Sequence, residues 1–209
     1  MTEPVHHALK SHYEACLDAH GDSHLGVNWS RPEDAETRHE VMLDMIRPAD
    51  GRRLSVLDFG CGASHFYEYL HARGRDDIDY TGLDISEKFI ALSQAKYPGN
   101  AYMCMDFLRP DADLPAFDYV VMNGVFTNRT GMTHAQMEAF FTTLVAKLFP
   151  HARVGLAFNA MTKHVDWERD DLFHLPFDTL AAFLKAHVSR RFVIRSDYGL
   201  YDYTTYVYR

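Results

Sequence analysis

The sequence predicts a single α/β domain: a doubly wound, mostly parallel sheet with an antiparallel C-terminal hairpin, preceded by an N-terminal helical extension. Three observations predict it. Residues 54–70 read LSVLDFGCGASHFYEYL, a short apolar run, a Gly-rich turn and a segment with helical spacing. A buried strand, a glycine turn and a helix in succession are how open α/β sheets build a ligand site. From there to residue 158, apolar runs alternate with helical periodicities, which implies parallel strands with helices packed on both faces. Finally, residues 191–197 and 200–209 are β-rich and separated by Tyr198-Gly199, and a connection that short joins antiparallel neighbours.

Residues 1–50 form the extension, expected to serve partly as a lid, and residues 51–209 the α/β domain. In the extension, residues 5–19 suit a helix with Leu9, Tyr13, Cys16 and Leu17 on one face, stopped by His20-Gly21-Asp22-Ser23. An irregular stretch follows to Ser30, a fair N-cap, with Pro32, Glu33 and Asp34 in the first turn of a second helix. That helix runs to Ile46 before Pro48, Asp50 and Gly51 break it. In the domain, residues 78–83, 101–105, 117–122 and 154–158 are strands, ending respectively at Asp84, at Asp106, at Asn123-Gly124 and beyond Phe158. Residues 87–97, 133–149 and 177–188 are helices, the first capped by Ser86 and stopped by Pro98-Gly99.

Composition narrows the function. At 209 residues, 47% hydrophobic and 24% charged, the chain is an ordinary globular domain. Its formal net charge of -8 argues against a nucleic-acid partner, because affinity for phosphates comes from clustered Lys and Arg. No run is long enough to span a bilayer, so no membrane partner is expected. Cys16, Cys61 and Cys104 show no CxxC spacing, which fits a reduced, cytoplasmic setting. Histidine occurs 13 times, but none of the N-terminal copies form His-x-x-x-His on one helix. They read as solvated, and no metal site is expected.

The glycine loop admits two readings. A dinucleotide fingerprint needs a small residue at His65, where this chain has a bulky ring. The order Asp58, Gly60, Gly62, with Ser64 where a third glycine is frequent, instead resembles motif I of the class I S-adenosylmethionine-dependent methyltransferases. The tail hairpin resembles the end of their seven-stranded sheet, whose last strand inserts antiparallel. The resemblance covers residues 54–209 and implies S-adenosylmethionine as cofactor and transfer of its methyl group.

It also implies site residues. Asp58 lies near the methionine end of the cofactor, with Gly60 and Gly62 passing beneath it. Asp84, followed by Ile85, can accept hydrogen bonds from both hydroxyls of a ribose. Asp106 can accept from the exocyclic amine of adenine, between Met105 and Phe107. Asn123 ends the fourth strand where the transferable methyl lies, and Arg38 is placed to pair with the methionine carboxylate. His20, His24, His164 and Asp166 are the candidates for catalysis, and Tyr13, Trp29, Phe126 and Asn159 for acceptor binding. Residues 20–29 are expected to form a lid that excludes water from the reaction. The N/D-P-P-Y motif of amino-methylating nucleic-acid enzymes is absent, since Gly124, Val125 and Phe126 follow Asn123. The acidic metal site of catechol-type enzymes is not recognisable either. A small-molecule acceptor is therefore expected: a sugar, a nucleotide sugar or another metabolite hydroxyl or amine. The alternative is a regulatory partner that binds the cofactor without turnover.

Overall fold

A computed structural model describes residues 4–49 and 51–209; Asp50, named above as a helix breaker, lies outside them. The extension holds α1 (His7–His20) and α2 (Pro32–Asp44). The domain then alternates β1 (Leu54–Phe59), α3 (His65–Ala72), β2 (Ile78–Asp84), α4 (Glu87–Lys96), β3 (Ala101–Cys104), β4 (Phe117–Phe126), α5 (His134–Leu148) and β5 (Ala152–Met161). It ends with α6 (Phe177–His187), β6 (Phe192–Arg195) and β7 (Asp202–Tyr208). The seven strands form one sheet in the order β3-β2-β1-β4-β5-β7-β6. Neighbours from β3 to β5 are parallel, whereas β7 is antiparallel to both β5 and β6. The strand order reverses between β1 and β4, so a crevice opens at their carboxyl ends, where open sheets take ligands.

Central strands are apolar on both sides because helices cover both faces. Leu57, Val120, Leu156 and Tyr203 pack with α5 and α6 residues such as Phe141, Leu144 and Leu180. Their strand neighbours Val56, Val121, Ala157 and Tyr206 face the other way, onto Met42 of α2 and Phe66 and Leu70 of α3. Strand alternation thus sends Tyr203 to one core and Tyr206 and Tyr208 to the other. Among the described residues, no helix is long and apolar enough to cross a membrane.

Three of the differences from expectation bear on the site. Residues 196–201 form a wide loop, not a turn confined to Tyr198-Gly199, because the Tyr198 and Thr204 hydroxyls bond at 3.0 Å and fold the loop back on β7. Tyr201 therefore leaves the face of Tyr203 and is 66% exposed. Arg31, not Ser30, is the N-cap of α2; no side chain caps this end, and Pro32 has no N–H to satisfy. Nor does Asn123-Gly124 end the fourth strand, which runs to Phe126. It is an irregularity inside β4, where the register with β5 shifts between Met122 and Phe126 and Gly124 takes φ +85.

One buried ion pair fastens the extension to the tail. Arg38 of α2 donates from Nε and Nη2 to the two oxygens of Asp202, both at 2.9 Å. Asp202, at the start of β7, is fully buried and also accepts from Asn159 Nδ2 at 2.9 Å. Removing one member of such a pair strands a buried charge, so Asp202→Ala is expected to cost about 3–5 kcal/mol. Urea unfolding of the variant measures this; a loss under about 1 kcal/mol would show that Arg38 does not depend on its partner.

Candidate functional site

The carboxyl ends of β1, β2, β3 and β4 converge on one cleft. Asp58, Gly60, Gly62, Asp84, Ile85, Met105, Asp106, Phe107 and Asn123 all line it. Every residue assigned to the cofactor from the sequence is there except Arg38. The turn after β1 is locked to β2, because the Gly60 and Cys61 amides both donate to the Leu83 carbonyl, at 2.7 and 2.9 Å. Gly60 needs to be glycine: its φ is +75, and a Cβ would stand 2.7 Å from Val125 Cγ2. Ser64 also takes a left-handed φ of +61, which explains why glycine is frequent there in the related motif.

Asp84 receives the Gly62 amide on Oδ2 at 3.0 Å and the Ser86 amide on Oδ1 at 2.8 Å. Each oxygen retains a second acceptor position. Burial pushes the Asp84 carboxyl up, against the lowering effect of those amides. Asp58 is 2% exposed and accepts from the Tyr80 hydroxyl at 2.7 Å. Burial raises its pKa to about 7. On the facing helix, burial of His39 lowers its ring to about 3. Asn123 Oδ1 is buried with no hydrogen-bond partner among the described residues.

The extension roofs this cleft. His6, Leu9 and Tyr13 of the α1 region line it, with Val27 and Trp29 from the irregular stretch. Tyr13 donates to the Gly124 carbonyl at 3.3 Å, and burial pushes its phenol up to about 12. Trp29 lies on Gly124, where a Cβ would come within 2.8 Å of Trp29 Cζ2, and the Arg38 guanidinium lies 4.3 Å from the ring centroid. Asp22 ties the same stretch to His65 at 2.8 Å and to Lys96 at 2.7 Å. Residues 20–29 therefore cross the carboxyl edge of the sheet.

Beyond Trp29 lies a second chamber of about 670 Å³, lined also by His12, Asp34, Asp166, Trp167, Arg169 and Tyr201. Of the four residues expected to be catalytic, only Asp166 lines it. His20, His24 and His164 line neither space. His20 and His164 are exposed, and His164 turns toward Phe177, with ring centroids 5.0 Å apart. Arg38 does not line the cleft; Asp202 takes its fork. Phe126 is not an acceptor contact but fully buried core, edge-on to Phe141 at 5.0 Å, because β4 continues through it. Asn159, also fully buried, is structural: its Oδ1 accepts the Gly124 amide at 2.8 Å while its Nδ2 holds Asp202. His12, His39, Trp167 and Tyr201 escaped sequence reasoning, since only tertiary packing brings them to the two spaces. The N-terminal histidines are not all solvated: His6 and His7 both contact Asp106 Oδ2, at 3.0 and 3.1 Å. Burial raises the Asp106 carboxyl, but these bonds outweigh it and hold it below its ordinary value.

Comparison with known proteins agrees with this geometry. Residues 57–154 match a family model described as a methyltransferase domain. The chain is 30% identical over 158 residues to "Putative methyltransferase Rv1506c" of Mycobacterium tuberculosis (strain ATCC 25618 / H37Rv), covering 73% of this chain and 92% of that protein. Among solved structures, it resembles magnesium protoporphyrin IX methyltransferase (ChlM) from Synechocystis PCC 6803 with bound SAM, at TM-score 0.68 and 16% identity over 100% of this chain and 98% of that one. It also resembles the DhpI-SAM-HEP complex, at TM-score 0.63 and 16% identity over 99% and 98%. The chain belongs to the class I S-adenosylmethionine-dependent methyltransferases. It is an enzyme of that class, with S-adenosylmethionine as its cofactor.

The residues present fit that cofactor. An orphaned buried acceptor, Asn123 Oδ1, and the half-buried Asp84 carboxylate both face the cleft, as a ligand rich in hydroxyl and ammonium donors requires.

Asp58 makes stability depend on pH. Its pKa is about 7 folded against an ordinary value of 3.8, so the folded state holds the proton more tightly. Stability from that proton is complete below about 3.8 and is lost as pH rises toward 7. Asp58→Asn stays neutral throughout, so from pH 5 to pH 8 its stability relative to wild type should rise by about 2.5 kcal/mol. Urea unfolding at the two pH values measures this; a constant difference would show that Asp58 is ionised at both.

Proposed function

We propose that this methyltransferase acts on a small-molecule acceptor seated in the chamber beyond Trp29. The observation that carries this reading is the shared wall: Trp29 lines both the cofactor cleft and the second chamber. S-adenosylmethionine, when bound, supplies a methyl group already activated by its sulfonium. The protein's task is then to hold two reactants in line and keep water out. Asp84 holds the ribose hydroxyls. Asp106, Met105 and Phe107 receive the adenine, and Asp58 and Asn123 face the methionine end. Val27, against Gly62, and Trp29, against Gly124, shed water from above, as a lid.

The second chamber suits a ring-bearing acceptor such as a sugar, a nucleotide sugar or another metabolite hydroxyl or amine. Leu25, Trp167 and Tyr201, exposed by 41%, 74% and 66%, all belong to its lining. The Trp167 and Tyr201 rings offer faces that stack on sugar or heteroaromatic rings. Asp34, Asp166 and Arg169 add polar partners for hydroxyls. His12 replaces His20, His24 and His164 as the candidate base, since it alone of these lines the chamber. A hydroxyl acceptor gives it a proton to take; a neutral amine does not need it. The three unpaired cysteines and the net charge of -8 support a cytoplasmic enzyme with no nucleic-acid partner.

Calorimetric titration with S-adenosylmethionine, followed by a methyl-release assay across a metabolite panel, tests the reading. Asp84→Ala should weaken cofactor binding by about 1.5–3 kcal/mol, the worth of hydrogen bonds to a charged group. Unchanged affinity in a folded variant would sink the ribose assignment. Trp167→Ala should raise the acceptor KM by roughly 3- to 10-fold, the worth of one aromatic contact, and leave cofactor affinity alone. An unaltered KM would remove the acceptor from this chamber.

A further inference from the structure

Methyl transfer has no use for the way His6 and His7 meet Asp106. They come from the start of the extension, about a hundred residues from Asp106 in the chain. Both Nε2 atoms lie against one oxygen, Asp106 Oδ2, at 3.0 and 3.1 Å, and all three donor atoms fall within 4.8 Å of one another. The side chains are only 12%, 26% and 13% exposed. Each is also oriented from behind. His6 stacks on Phe140 with centroids 5.5 Å apart at 11°, His7 meets His6 edge-on at 4.9 Å, and the Leu108 amide holds Asp106 Oδ1 at 3.0 Å. Two imidazoles converging on one carboxylate oxygen bring three potential metal ligands within reach of a single ion.

We propose that His6, His7 and Asp106 bind a divalent cation of the Zn²⁺ type at the adenine end of the cofactor cleft, and that the ion and the cofactor exclude each other there. Tetrahedral zinc with bonds of about 2.0–2.1 Å keeps its ligands roughly 3.3 Å apart, close to the 3.0 and 3.1 Å at which the two Nε2 atoms already meet Oδ2. Two imidazoles with one carboxylate suit Zn²⁺ or Co²⁺ over Ca²⁺ or Mg²⁺, and three protein donors leave a fourth position for water. Without the ion, each Nε2 carries the proton it donates to Oδ2. On binding, each Nε2 releases that proton to solvent and gives its lone pair to the cation, Nδ1 takes up a proton where it carried none, and nothing is oxidised or reduced. Exclusion follows because the ion and its water fill the adenine end of the cleft, which His6 and Asp106 line. That half rests on the assignment of Asp106 to adenine made above. Coupling of this kind is reciprocal, so the cofactor must weaken the metal by the same factor.

The test uses the full chain, free of any affinity tag and stripped with chelator. Zn²⁺ is titrated by calorimetry and Co²⁺ by visible absorption. The expected result is one ion per chain with tetrahedral Co²⁺ bands, bound at least tenfold more weakly in His7→Gln and weaker still in His6→Gln/His7→Gln. Saturating Zn²⁺ should weaken S-adenosylmethionine binding about tenfold or more in wild type and far less in His7→Gln. Equal Zn²⁺ affinity in wild type and the double variant would overturn the site, as would no binding at all. Zn²⁺ bound through these residues with cofactor affinity unchanged would overturn the exclusion. Cofactor binding measured in chelator stands apart: if it fails while the Zn²⁺ isotherm holds, the adenine assignment is at fault and the metal site is not.

Discussion

The Arg38–Asp202 pair is the constraint on which the rest of the molecule depends. It joins the second helix of the extension to the strand inserted last in the sheet. Through Asn159 it continues to the Gly124 amide, inside the irregular end of β4. Trp29 lies against both ends of that chain, on the Arg38 guanidinium and on Gly124. A pair buried this deeply adds little net stability by itself, because desolvation of two charges offsets their attraction. Its effect is on specificity: any other packing of the extension leaves Arg38 or Asp202 buried and uncompensated. The wall between the cleft and the chamber is fixed by the same requirement.

Burial drives Asp58 and His39 toward their neutral states, one by raising its pKa and the other by lowering it. Asp84, also raised by burial, is offset only by backbone amides. A ligand that brings a sulfonium and an ammonium into such a space meets carboxyl groups whose ionisation it favours. The acids serve as poised partners for positive charge, and the low dielectric that raises their pKa strengthens the attraction once they ionise.

The roof of the cleft is fastened differently from its floor. The floor consists of central strands with no exposed side chain at Val56, Leu57, Val120 or Val121. In α1 only Leu9 is buried. The helix is held at its rim by polar contacts such as Ser86 to Glu14 at 2.6 Å and the exposed Lys88–Asp18 pair. Exposed pairs of this kind contribute about 0–1 kcal/mol each. Displacing α1 therefore exposes far less buried surface than opening the sheet.

The sequence alone determined the strands, the glycine loop and the acids at the strand ends. Those features follow from local rules: the period of apolar residues, the φ that glycine allows and the reach of a carboxylate beside a turn. Hence Asp58, Asp84, Asp106 and Asn123 were legible as one constellation before any contact was known. Tertiary structure decided the pairs of residues far apart in the chain. Arg38 looked like a ligand contact because nothing near it in sequence names Asp202, and Asn159 looked like one because its partner is a backbone amide on another strand. Phe126 was misplaced because the irregularity at Asn123-Gly124 resembles a turn, while hydrogen bonding to β5 carries the strand past it. His6, His7, His12 and Trp167 had no pattern to betray them. Their positions come from the burial of whole helices and loops, a balance summed over the fold that a short stretch of sequence does not encode.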